Sequence, residues 1–218
     1  MAGEVKTDER FEERMRQCAA TKFTELNLAN LELEMIPAVV FEKTNLRTLN
    51  LRNNSIEFIQ RDIQHLKNLE ILNVANNKVK FLAPELGTLP CLQKLDLRNN
   101  KLKELPAELG GLAALRELYL NDNRLEELPE DCFGQMWNLE TLEAANNDLV
   151  DVPADWTKDN LPNLRVLNLR GNAEGLVLPW ALRCVHDQFP IMTDVNYRRD
   201  LVKRALAIRK RVQDKLFL

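Results

Sequence analysis

The chain has 218 residues, of which 45% are hydrophobic and 29% are charged, and its formal net charge at pH 7 is −3. This composition is typical of a globular chain with a continuous core, and it excludes a disordered protein and a strongly basic, histone-like nucleic-acid binder. The chain contains 39 leucines and 22 asparagines but a single serine, Ser55, and such a bias indicates an internal repeat.

We expect an intracellular, cytoplasmic protein, although the sequence does not indicate an organelle. No apolar stretch approaches the roughly 18 residues of a membrane-spanning helix, and the acidic N-terminal residues lack the apolar core of a signal peptide. Secreted domains that are held together by disulfides cluster their cysteines, whereas those of this chain are widely spaced and form no CxxC pair. They are Cys18, Cys91, Cys132 and Cys184.

The first predicted element is a helix at residues 8–19. Four of its residues would share one face: Phe11, Met15, Cys18 and Ala19. We expect residues 1–22 to form a helical cap over the end of the core, because the ends of a repeat array need covering. The alternative is a helix that binds a partner.

From residue 23 onward the sequence aligns with itself at steps of 23 to 25 residues. One copy begins at Leu92, and the shared pattern is L-x-x-L-x-L-x-x-N-x-L. Seven copies begin at positions 23, 46, 69, 92, 115, 139 and 164. Six copies carry an asparagine at the same phase, whereas the first has Leu31 there: Asn54, Asn77, Asn100, Asn123, Asn147 and Asn172.

Each copy predicts a short strand followed by an inward turn. In the L-x-L segment two leucines alternate with polar residues, so one face of the strand would be buried and the other exposed. Strands of successive copies would stack in parallel about 4.8 Å apart. The asparagine amide would then bond backbone groups that the turn buries.

The pattern resembles the leucine-rich repeat. The 23-residue step and the second half of the unit, shown by residues 105–112 with the pattern L-P-x-x-L-x-x-L, resemble the class of Ras-suppressor and plant intracellular Ras-group proteins. The resemblance covers residues 23 to about 182. It implies an α/β fold, a right-handed solenoid of about seven repeats at 23–194 with a parallel concave sheet and a helical cap at both ends. It also implies a non-catalytic binder, either a scaffold or a subunit of a larger assembly.

The longer steps add residues at 132–136 and 157–161, on the convex side of the predicted solenoid. Trp137 and Trp156 belong to these two segments. We expect both of them, together with Trp180, to lie in the core, because tryptophan is strongly buried on average. Exposed tryptophans would instead indicate a second interface.

The concave face is the predicted binding site. Seven strands would span roughly 29 Å, which is wide enough for a helix or a small protein surface. Because tyrosine and arginine are frequent in binding hot spots, we expect Tyr119 and Arg98 to anchor a protein partner. An alternative is that Arg98 only pairs with Asp96 or Asp122 on a solvated sheet. The candidate contact residues are Arg52, Ile71, Lys94, Asp96, Arg98, Glu117, Tyr119, Asn121 and Glu143.

Residues 195–218 are predicted to form a basic amphipathic helix. Eight cations oppose only Asp200 and Asp214, so this segment carries a charge of +6. The cations, which would form a second interface, are Arg198, Arg199, Lys203, Arg204, Arg209, Lys210, Arg211 and Lys215. Three interpretations stay open: a cap helix with a solvated basic face, docking on an acidic protein, and binding of RNA or an anionic membrane surface.

Residue types that carry catalysis are scarce and poorly spaced. His65 and His186 have no companions at metal-ligand spacing, and no glycine-rich phosphate loop is present. Ser55 is the only serine, which leaves no candidate for a serine triad. We therefore predict that the chain is not an enzyme and that it has no metal site and no cofactor.

Four functions from different classes are considered. The first is a protein-interaction module that grips a partner of unknown identity through the concave face. The second is a structural subunit of a large assembly, held by its ends and convex face. The third is an RNA-associated role through the basic C-terminal helix. An enzyme or a GTPase regulator ranks last, because the GTPase-activating relatives use longer repeats.

Overall fold

The structure, a computed structural model, describes residues 9–20, 22–129, 132–153, 156, 160–173, 176 and 191–192. Its elements in chain order are the helices and strands α1 (Glu9–Ala20), β1 (Glu25–Asn27), α2 (Ala38–Phe41), β2 (Thr48–Asn50), β3 (Phe58–Ile59), the 3₁₀ helix η1 (Arg61–His65), β4 (Ile71–Asn73), β5 (Phe81–Leu82), η2 (Pro84–Thr88), β6 (Lys94–Asp96), η3 (Ala107–Gly111), β7 (Glu117–Tyr119), η4 (Phe133–Gln135), β8 (Thr141–Glu143), β9 (Val166–Asn168) and β10 (Ile191–Met192).

Eight of these strands form one parallel sheet in the order β1-β2-β4-β6-β7-β8-β9-β10. The seven strands from β1 to β9 in that order are those that the repeats predict, and each contains the central leucine of its copy. The register is fixed by these leucines, since Leu72 pairs with Leu95 and Leu95 with Leu118. The eighth strand, Ile191–Met192, was not predicted, and it pairs in parallel with β9. The predicted solenoid with a parallel inner sheet is confirmed.

The core is a continuous column of leucines between the inner sheet and the convex side. Leu72, Leu95 and Leu118 have no exposed surface, and the same is true of convex leucines such as Leu89 and Leu112. Each buried leucine contributes roughly 1.5–3 kcal/mol relative to an exposed one. Since every repeat contributes leucines at the same positions, the core extends along the solenoid axis.

The asparagines of the repeat bond the buried backbone of two neighbouring repeats. The Asn100 amide nitrogen donates to the carbonyl oxygens of Val74 and Leu97 at 3.0 and 2.9 Å. Its Oδ1 accepts from the backbone N–H of Val79 at 2.9 Å. The same bonds recur at the asparagines Asn54, Asn77, Asn123, Asn147 and Asn172. The predicted structural role of this ladder is therefore observed.

A second asparagine ladder precedes the first and was not predicted. Its residues have left-handed backbone with φ between 53° and 67°, a conformation that asparagine, aspartate and glycine tolerate. The Asn76 amide donates to the Oδ1 of Asn53 at 2.6 Å, and the Asn99 amide donates to the Oδ1 of Asn76 at 3.0 Å. The positions are Asn30, Asn53, Asn76, Asn99, Asp122, Asn146 and Gly171. The Asn-Asn pairs in the sequence are its signature.

Helix α1 lies against the first inner strand. Phe11 and Cys18 are 3% and 2% exposed and belong to the core, while Met15 packs against it partly buried. Ala19, which we expected on the same face, is exposed. The helix exists near its predicted bounds, and its role as a cap stays a prediction. The predicted C-terminal helix and the basic interface within residues 195–218 lie outside the described residues.

The convex side is built from short 3₁₀ helices that pack closely. A Cβ on Gly110 would lie 2.7 Å from the carbonyl oxygen of Cys132, and one on Gly111 would lie 2.6 Å from that of Gly87. Larger residues would therefore force successive repeats apart. An open groove of about 670 Å³ runs along these glycines.

The tryptophan prediction is only partly confirmed. Trp156 is fully buried, and its ring packs edge-on against that of Phe133 with 4.9 Å between centroids. Trp137 is 63% exposed, so the prediction of a core position is wrong for it. It occupies the place in its repeat that Lys67 and Pro90 occupy in theirs, and those positions face solvent. Trp180 lies outside the described part of the chain.

Candidate functional site: the concave surface

The inner sheet determines which side chains face the concave surface. Each of the seven inner strands that the repeats supply has three residues, and the middle one is buried, so the first and third lie on the concave side. The pairing register places Lys94 beside Glu117 and Asp96 beside Tyr119 on adjacent strands. Glu143 follows Tyr119 in the next strand. The predicted candidates on β6, β7 and β8 are thus neighbours in space.

Tyr119 lies at the centre of this group, in contact with two cations. The Lys94 Nζ and the Arg98 Cζ are 5.0 and 4.9 Å from the centroid of its ring, within the range of cation–π attraction. The Tyr119 hydroxyl donates to Oε2 of Glu117 at 2.9 Å, and the Lys94 ammonium donates to the same oxygen at 2.6 Å. We call Lys94, Asp96, Arg98, Glu117 and Tyr119 the tyrosine cluster.

Arg98 forms a two-point ion pair with Asp96. Its Nε and Nη2 donate to the two carboxylate oxygens at 2.9 and 2.6 Å. The Asp96 side chain is only 3% exposed, whereas that of Arg98 is 46% exposed. Asp96 was predicted as a contact residue, but it is buried under Arg98, and its role here is to hold the guanidinium. The other suggested partner, Asp122, accepts from the Asn146 amide instead.

The pKa shifts of the cluster keep its charges fixed around neutral pH. The hydrogen bond from Lys94 holds the pKa of Glu117 below its usual value, and the same bond raises the pKa of Lys94. Burial raises the pKa of the Tyr119 phenol, so the hydroxyl stays protonated. The bonds to Asp96 raise the pKa of Arg98. Lys94 and Arg98 are therefore cationic, Glu117 is anionic and the ring of Tyr119 is neutral.

The remaining candidates lie around the cluster. Asn121 donates to Glu143 at 2.6 Å, and its Oδ1 accepts from the backbone N–H of Ala145 at 2.9 Å. Ile71 is 37% exposed on the strand next to Lys94, and Arg52 is exposed beyond the end of β2. The structure thus places the exposed candidates on one continuous surface.

Strand-end asparagines on the concave face have a structural role that sequence reasoning missed. The Oδ1 atoms of Asn27, Asn50, Asn73 and Asn168 each accept from the backbone N–H two residues further on. Asp96 makes the same bond with the N–H of Arg98 at 3.2 Å. In the sequence, this role was indicated by the asparagine that repeatedly follows the central leucine of a strand. Tyr119 and Glu143 occupy the same position in their strands, but their side chains do not accept from the backbone N–H two residues further on.

The part of the chain that the structure describes contains no group of three metal-binding side chains close enough to hold an ion. Within those same residues, no helix is both long and apolar enough to cross a bilayer.

Comparisons with known proteins agree with this architecture. A model of the leucine-rich repeat region matches residues 45–178. Among solved structures, a leucine-rich repeat protein of Leptospira interrogans is similar, with 31% identity and a TM-score of 0.57 over 72% of this chain. The chain spans 45% of the length of that protein. Curated protein sequences yield no significant match.

Two plant receptor ectodomains are also similar. The ectodomain of the receptor kinase SOBIR1 of Arabidopsis thaliana is 29% identical with a TM-score of 0.50, over 59% of this chain and 71% of its own. The ectodomain of GASSHO1/SCHENGEN3 from the same plant is 31% identical with a TM-score of 0.59, over 70% of this chain and 19% of its own. It was solved in complex with CASPARIAN STRIP INTEGRITY FACTOR 2. The repeat pattern, the parallel inner sheet and the family match together show that this chain belongs to the leucine-rich repeat family.

Proposed function

We propose that the chain is a non-catalytic protein-interaction module that binds a protein partner through its concave surface. Leucine-rich repeat domains commonly mediate protein–protein interaction, and they are typically not catalytic. The observation that carries the proposal is the tyrosine cluster, in which a partly exposed aromatic ring is held by two cations and a carboxylate.

The cluster favours binding because its side chains are already ordered. Fixing a long side chain at an interface costs roughly 0.5–1.5 kcal/mol, and Arg98, Lys94 and Tyr119 are each held by bonds before a partner arrives. Asp96 is buried and therefore positions Arg98 instead of contacting the partner. Ile71 offers an apolar contact on the neighbouring strand.

A structural subunit of a large assembly, held by its ends and convex face, is the second candidate function. Trp137 favours it, because this residue is 63% exposed and tryptophan is enriched at protein interfaces.

The basic segment 195–218 keeps its proposed roles in docking an acidic protein or RNA, which rest on its charge of +6 alone. An intracellular location also stays a proposal; it is supported by the wide spacing of the cysteines, which form no CxxC pair.

Affinity capture from the native source tests the proposal. We expect the double variant Tyr119→Ala/Arg98→Ala to lose the partner that the wild-type chain retains. Arg61→Ala is the matched control, because Arg61 lies in η1 on the convex side and its side chain is 75% exposed. Loss of the partner with Trp137→Ala alone would support the structural subunit. Loss only on truncation after Asp194, with the fold preserved in circular dichroism, would support the basic segment.

A further inference from the structure

A second surface lies between the inner sheet and the convex side. In each repeat it begins just after the asparagine of the first ladder, which in the central repeats is Asn54, Asn77 or Asn100. Its outward-facing residues in the central repeats include two aromatic rings and four lysines, with the exposed carboxylates Glu57 and Glu104 among them. We call this set the flank surface: Phe58, Phe81, Lys78, Lys80, Lys101 and Lys103. Strands β3 and β5, which pair in parallel, hold its two rings in register. It is separate from the tyrosine cluster, which lies on the inner sheet.

The aromatic rings of the flank surface are not required by the fold. Phe58 is 42% and Phe81 is 63% exposed, while their chain neighbours Ile59 and Leu82 fill the core. The corresponding positions of the next repeats are Glu104 and Glu127, which are exposed. Because the repeat accepts a carboxylate at this place, the two rings contribute little to folding and leave an apolar area of about 200 Å² in water.

In the part of the chain that the structure describes, two of the four lysines of the flank surface are paired with carboxylates, and two are not. Lys80 donates to Glu57 at 2.9 Å, and Lys103 lies 3.7 Å from Glu126. Within the described residues, Lys78 and Lys101 form no ion pair with a carboxylate. Both nevertheless lie near enough to lower the pKa of Glu57, after the larger effect of its bond with Lys80. Lys78 and Lys101 therefore supply the positive charge beside the rings that no described carboxylate pairs with directly.

We propose that the flank surface binds an extended acidic segment of a partner protein that carries one or two apolar side chains. The lysines would meet its carboxylates while the exposed rings of Phe58 and Phe81 would cover its apolar side chains. The chain's own residues 195–218 are a poor occupant, because their charge of +6 has the same sign as the surface.

Phage display of random 12-residue peptides on the full chain tests the proposal. Selection on the wild type with counter-selection on Phe58→Glu/Phe81→Glu should enrich peptides that combine acidic and apolar residues. This variant places at both positions the residue type that Glu104 supplies in its repeat, so the fold should be kept. A synthetic, fluorescently labelled copy of the enriched peptide should bind the wild type at least fivefold more tightly than this variant.

A second variant and a matched control complete the test. Lys78→Glu/Lys101→Glu should also weaken the labelled peptide at least fivefold, whereas Tyr119→Ala should leave its affinity unchanged. Absence of enrichment, enrichment of neutral or basic peptides, or a loss below fivefold in either double variant would overturn the proposal. So would a wild-type dimer in sedimentation that Phe58→Glu/Phe81→Glu dissociates, since the occupant would then be a second copy.

Discussion

Replacing Asn100 by alanine removes one complete step of the asparagine ladder in the middle of the solenoid. The side chain is buried, with 7% of the residue exposed. Its Oδ1 atom is the acceptor for the Val79 N–H, and its amide nitrogen donates to the carbonyls of Val74 and Leu97. After the substitution the Val79 N–H would be buried without a partner.

The two carbonyls would be affected less than the N–H. Val74 also accepts from the Asn77 amide at 2.9 Å, and Leu97 also accepts from the Asn123 amide at 3.0 Å. Each therefore keeps one bond. A buried N–H without a partner costs roughly 1–3 kcal/mol, and each lost but shared bond costs roughly 0.5–1.5 kcal/mol. The expected loss in the free energy of unfolding is about 2–6 kcal/mol.

Urea unfolding followed by circular dichroism measures this loss as a shift of the midpoint at constant slope. The matched control is Asn68→Ala, since the exposed Asn68 amide donates a single bond to the Thr44 carbonyl at 2.9 Å. We expect the control to lose at most about 1 kcal/mol. If Asn100→Ala lowers the free energy of unfolding no more than Asn68→Ala does, the Asn100 side chain does not hold the repeats together as described.

Three further predictions concern the core, the tyrosine cluster and the second asparagine ladder. Leu95→Ala removes a fully buried side chain and should cost about 2–5 kcal/mol in urea unfolding; a loss below 1 kcal/mol would contradict the packed core. Glu117 has a lowered folded pKa, so its contribution to stability is present above the unfolded pKa near 4.5 and is lost as pH falls through the folded value. The stability difference between wild type and Glu117→Gln should therefore shrink from pH 6 to pH 3, and a difference independent of pH would speak against the bond with Lys94. Gly171→Ala should cost about 1–2 kcal/mol from its left-handed backbone alone, and an unchanged melting temperature would disprove the argument.

The strand positions could be predicted because the side-chain period of two and the leucine spacing leave little freedom. A strand residue next to the buried central leucine must face the opposite side of the sheet, so Lys94, Glu117 and Tyr119 were correctly placed on the concave surface. Burial within that surface was not predictable in the same way. Asp96 is covered by Arg98, and this depends on side-chain conformations that no repeat pattern specifies.

Other features escaped prediction because residue type alone was weighed. Trp137 was assigned to the core for its size, whereas its place in the repeat faces solvent. Strand β10 has no leucine pattern, and its pairing with β9 requires only backbone groups at the open edge of the sheet. The second asparagine ladder could have been inferred, because asparagine pairs such as residues 76–77 recur at the repeat period.

Site-specific photo-crosslinking tests the concave binding surface most directly. A benzophenone-bearing amino acid would replace Ile71 on the inner sheet in one variant and Trp137 on the convex side in another; these residues are 37% and 63% exposed. After capture from the native source and irradiation, we expect a covalent adduct with the partner from position 71 and none from position 137. An adduct from position 137 alone would contradict it and would place the partner on the convex face.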